Sequence, residues 1–159
     1  MRLLQERASN RPVGDSLIVQ TRVRLLVPFV QMFGLYVIVH GHYSPGGGFQ
    51  GGVVLGASFI LLALAYDLKT SIRHFPVPVN ILLANTGALI FTGIAVLCAL
   101  VGGLFLDYSA LDRIIPLGPV EWRSFGIFLI EVGVGLAVMS IMVSLFWDIS
   151  SGGAMDEGL

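Results

Sequence analysis

Four apolar runs govern what this chain can fold into. They lie at about residues 25–40, 52–66, 81–106 and 124–147, with polar or turn-forming residues between them. A bilayer core about 30 Å thick asks for roughly 20 apolar residues per crossing helix. Inside it each backbone amide must find its partner within the same segment or an adjoining one. The expected fold is therefore all-α, a polytopic membrane protein with four transmembrane helices. Composition agrees: 55% of the residues are hydrophobic, 12% are charged, and the mean hydropathy is +0.87. A soluble domain carries about 25% charged residues.

The same composition narrows the function. A net charge of -1, with nine basic residues spread through the N-terminus and loops, offers no stripe for nucleic acid. Cys98 is the single cysteine and lies inside an apolar run, so neither a disulfide framework nor a thiolate set for zinc or an iron–sulfur cluster is expected. No nucleophile–base pair, no cofactor motif and no paired carboxylates stand within a span. The expectation is no catalytic residue, no metal site and no cofactor.

Residues 1–24 hold Arg2, Glu6, Arg7, Arg11, Asp15, Arg22 and Arg24, too polar a stretch for the leading region of a signal peptide. They are expected to form a cytoplasmic N-terminal segment, followed by the four-helix membrane domain at 25–147 and a cytoplasmic tail at 148–159. Basic residues collect on the cytoplasmic side of membrane proteins. An inside N-terminus places Arg2, Arg7, Arg11, Arg22, Arg24, Lys69 and Arg73 inside and Arg113 and Arg123 outside, seven of nine against two. Both termini are thus expected inside, N-in/C-in.

Helical periodicity assigns faces. Gly52 and Gly56 form a small-xxx-small pair suited to close helix packing. In the third run Ala84, Ala88, Ala95, Ala99 and Gly102 read as a packing seam, with Asn85 and Thr92 on a different face as packing glue or the lining of an ion route. In the fourth, Gly126, Gly133, Ala137, Ser140 and Ser144 share one stripe, Glu131 lies nearly opposite, and Trp147 reads as an interface anchor. Glu131 falls roughly 10 Å inside the outer end of its run at 1.5 Å per residue. A charged residue at such depth costs about 2.5 to 3.5 kcal/mol on insertion scales and needs a partner, a proton or water. If the small stripe packs within the subunit, its carboxylate is expected to face another subunit or a shared cavity. It either exchanges protons or ligates Na+, or fixes helix packing through a hydrogen bond. His40 and His42, which bracket Gly41, either relay protons or cap a helix and its loop.

Between the first two runs stands the most distinctive stretch, His40-Gly41-His42-Tyr43-Ser44-Pro45-Gly46-Gly47-Gly48-Phe49-Gln50-Gly51-Gly52. No Lys-Ser or Lys-Thr follows, so it is not a phosphate cradle. Pro45, Gly46, Gly47, Gly48, Phe49, Gly51 and Gly52 read as an architectural turn, with the next helix beginning in it or the turn entering the membrane edge. This segment closely resembles the signature of the MrpB/MnhB family, the B subunits of Mrp-type multisubunit Na+/H+ antiporters. The resemblance implies a prokaryotic multi-pass cell-membrane subunit that exchanges nothing by itself. Its implied partners are other antiporter-type membrane subunits, with Na+ and H+ as transported ions, and its contribution is to assembly and the cation path. Similar B-type subunits of membrane-bound hydrogenases and related ferredoxin-driven complexes supply the alternative, with redox chemistry in neighbouring chains. A self-standing four-helix assembly factor would explain the packing seams but not the glycine segment.

Overall fold

The structure is a computed structural model that describes residues 16–41, 46–66, 68–102, 104–116 and 118–152. Its helices are α1 (Leu17–Val39), α2 (Gly48–Tyr66), α3 (Leu68–His74), α4 (Val77–Leu100) and α5 (Pro119–Ser151), with a 3-10 helix at Tyr108–Arg113. Among them α1, α2, α4 and α5 are long and apolar enough to cross a membrane, which gives the expected four spans.

The helix ends follow local chemistry. Pro78 lies in the first turn of α4 and Pro119 in that of α5, where the missing N–H breaks no helical bond. α4 stops at Leu100, six residues short of the expected boundary, because Gly102 turns the chain with φ +89°. α5 ends on Gly152 in the left-handed conformation (φ 64°). α1 begins at Leu17 rather than 25 and carries Arg22 and Arg24 within the helix, since a helix need not stop where hydrocarbon does. α2 begins inside the glycine segment, at Gly48.

The four spans stand in a row, α1 against α2, α2 against α5, and α5 against α4, so α1 and α4 are edge helices. Small residues set the spacing. A methyl group on Gly52 would lie 2.6 Å from the Gly135 carbonyl oxygen, and one on Gly87 would reach the Gly133 carbonyl oxygen and come within 2.7 Å of the Ala137 nitrogen. Such contacts let the backbones approach closely, which replaces the hydrophobic effect as the packing force in lipid. The expected stripe on α5 is the one that meets α4: Gly133 and Ala137 face Gly87, and Asn80 donates to the Ser140 carbonyl (3.1 Å) and the Ser144 hydroxyl (2.7 Å).

On α4 the expected alanine seam needs correction. The buried residues are Asn80, Gly87, Ala95 and Cys98, while Ala88 and Ala99 are exposed. Trp147 is also not an interface anchor. α3 folds back along α2 so that Phe75 stacks on Phe59 at 4.5 Å, and Trp147 packs beside Phe75 with 1% exposure, inside the core.

Candidate functional site

Glu131 is the centre of the site. It sits on the face of α5 opposite the small stripe, and that face meets the start of α2. A methyl group added to Gly41 would collide with its Oε2, one on Gly47 would lie 2.9 Å from its Oε1, and one on Gly48 would run into its backbone oxygen. The glycine segment is therefore a cradle shaped to one carboxylate. The absence of side chains at Gly41, Gly47 and Gly48 is a requirement of close approach to the half-buried Glu131. A helix wheel reveals which side of α5 Glu131 occupies; only the fold shows what lies across from it.

The position is deep. α4 is 24 residues long, about 36 Å at 1.5 Å per residue, enough to cover the ~30 Å hydrocarbon core. Its Ile90 packs on Gly133, two residues from Glu131. That level is thirteen residues from Val77 and ten from Leu100, roughly 20 Å and 15 Å from the two ends. Along α5, Glu131 is twelve residues past Pro119, about 18 Å. The sequence placed it shallower because the start of α5 was set at Ser124. A carboxylate at this depth, beside the first turn of α2, sits where backbone N–H groups have no helical partner and the helix dipole favours negative charge.

Of the other expected site residues, His40 lies at the end of α1, next to Gly41. It is exposed, its ring stacks on Tyr36 at 4.2 Å, and its Nδ1–H donates to the Tyr36 carbonyl at 3.2 Å. His42 and Pro45 fall outside the described residues. Gly46 and Gly47 are half-buried, Gly48, Gly51 and Gly52 are buried against neighbouring helices, and Phe49 is exposed. Gly51 packs on α1, 2.7 Å from the Gly34 carbonyl oxygen as a methyl group would measure it. Asn85 and Thr92 stand on the outer face of α4, exposed and on the far side of α5 from the cradle. The fold brings Glu131 and the glycines together and leaves Asn85 and Thr92 apart from them. No cluster of three or more His, Cys, Asp or Glu side chains suited to a metal ion occurs among the described residues.

Sequence reasoning missed a second polar cluster. Asn80 and Ser140 are both fully buried between α4 and α5, with Ser144 beside them. Asn80 directly follows a Pro-Val-Pro-Val stretch, which made it look like a helix boundary rather than a core residue.

Fold and site together define a polytopic all-α membrane protein with a deep carboxylate set against Gly41, Gly47 and Gly48. Comparison with known proteins gives the family. The model of a family described as a domain related to the MnhB subunit of Na+/H+ antiporter matches residues 18–144. Antiporter subunits named mnhB2 from Staphylococcus aureus, strains Newman and USA300, are each 30% identical over 139 residues, covering 87% of this chain and 96% of the relative. The chain belongs to the MnhB family.

Proposed function

We propose that this chain is a membrane subunit of a multisubunit Na+/H+ antiporter and that Glu131 in its glycine cradle is the group through which it meets the transported ions. Membership of the family and the matched antiporter subunits support the first part, and they do not favour the hydrogenase-type alternative. The observation that carries the second is the seat of an ionisable carboxylate against Gly41, Gly47 and Gly48 at bilayer depth. An ionisable side chain at bilayer depth is costly and characteristic of ion and proton routes. The carboxylate can take up a proton or give one oxygen ligand to a Na+ ion that is losing its water shell. The exposed ring of His40, next to Gly41 in the chain, is the group we assign to passing protons toward that carboxylate. The bias of Lys and Arg places both termini in the cytoplasm.

The test is Na+-dependent proton movement in everted membrane vesicles that hold the whole complex. Glu131→Gln is expected to lower transport about tenfold with the complex still assembled. Gly41→Ala, whose methyl group must displace Oε2, is expected to reproduce that loss while keeping the carboxylate. Normal transport in both variants would return Glu131 to a role in packing. The purified single subunit in liposomes is expected to exchange nothing; antiport by that component alone would refute a subunit role.

A further inference from the structure

α4 is an edge helix, and its outward face carries two polar side chains at bilayer depth, Asn85 and Thr92, among apolar ones. Leu82, Asn85, Leu89, Thr92, Val96 and Ala99 recur at spacings of three, four, three, four and three residues, and all six are exposed. Leu82 is 64% exposed and Leu89 72%. A helix face of this spacing is what a second helix needs in order to pack along a shallow left-handed crossing. At the same level Gly93 has nothing within 4 Å of where a methyl group would sit, so none of the described residues requires a glycine there.

Polar atoms on the seam say what covers it. Counting from Val77, Asn85 is about 12 Å and Thr92 about 22 Å along the helix, both within the thickness of hydrocarbon. Among the described residues neither side chain makes a hydrogen bond, although Thr21 on α1 satisfies its hydroxyl on the Leu17 carbonyl at 2.8 Å. Acyl chains offer no donor or acceptor, whereas a neighbouring helix does. A single Asn on an apolar seam also fixes register against the partner. The outward face of α1 differs, with Leu25, Leu26, Phe29, Met32 and Phe33 exposed, an apolar surface that lipid can cover.

We infer that the outward face of α4 is the seat of a transmembrane helix from a different subunit, which approaches closely at Gly93 and hydrogen-bonds Asn85. The identity of the occupant rests on the reading that the chain works within a multisubunit antiporter. Because none of the described residues meets Gly93, Gly93→Trp is expected to leave the subunit at its normal level in the membrane while recovery of the other subunits with it falls at least tenfold. Asn85→Leu is expected to lower recovery less, with Asn85→Gln restoring it. A photoreactive residue at position 89, introduced into the complete complex, is expected to give an adduct that mass spectrometry identifies as another antiporter subunit. An adduct with a second copy of this chain, an adduct with lipid only, or undiminished recovery with Gly93→Trp would overturn the inference. If the unaltered chain recovers no other subunit at all, the antiporter reading fails together with it; if it recovers them and Gly93→Trp does too, only the assignment of this face fails.

Discussion

The two faces of α5 solve the problem of packing in lipid differently. Toward α4 the helix offers Gly133, Ala137, Ser140 and Ser144, and the polar contacts are neutral hydrogen bonds from Asn80. Toward α2 it offers Glu131, and the opposing surface has been stripped to glycine so that carboxylate and backbone can lie together. Both faces use small residues. On both they bring helices together, as Gly52 and Gly135 do between α2 and α5; toward α2 they also make room for a carboxyl group. A glycine count alone does not separate these uses, whereas the chemistry of the side chain opposite does.

The comparison can be broken or sharpened by substitution. Gly48→Val carries the largest expected effect, because its side chain would run into the Glu131 backbone, which cannot rotate away. Overpacking of this kind costs about 1 to 3 kcal/mol or more, and the subunit is expected to be lost from membranes on immunoblotting. Glu131→Gln comes next: about a tenfold fall in transport, or about 1.4 kcal/mol, with the complex still assembled. Asn80→Ala should do the opposite. It removes two hydrogen bonds between helices, each worth about 0.6 kcal/mol in a membrane, so thermal stability is expected to fall while transport per assembled complex is unchanged. Ser58→Ala is the smallest, since that hydroxyl donates only to the Leu55 carbonyl of its own helix at 2.6 Å. A melting temperature within about 1 °C of the parent is expected, in keeping with a loss of a few tenths of a kcal/mol. If Asn80→Ala abolished transport in assembled complexes, the two faces would not be separable in function.

Much of this was legible in the residues. Length and hydropathy reveal four spans, and periodicity puts Gly133, Ala137, Ser140 and Ser144 on one stripe of α5 with Glu131 opposite. What periodicity cannot supply is the vertical register between helices. That register decides that Glu131 meets Gly41, Gly47 and Gly48. Trp147 misled for a related reason: near a helix end it resembles an interface anchor, but α3 folds back and encloses it with Phe75. On α4 the alanines drew attention from Asn80 and Gly87, because five small residues on a helix do not say which of two adjoining stripes a partner will choose.

Gly41 after α1 and Gly48 at the start of α2 lie at the level of Glu131, while α4 and α5 continue about 15 to 18 Å beyond it. The facing ends of α1 and α2 are thus recessed beside a taller pair, and hydrocarbon does not tolerate helix-end backbone groups left without partners. Water or protein must fill that notch. If it is water, the insulating layer is thinned there, and the voltage across the membrane falls over a shorter distance, with Glu131 at its edge. Moving one elementary charge through the full voltage is worth about 2.3 kcal/mol per 100 mV, so the depth of the notch sets how much of that work is done on either side of the carboxylate.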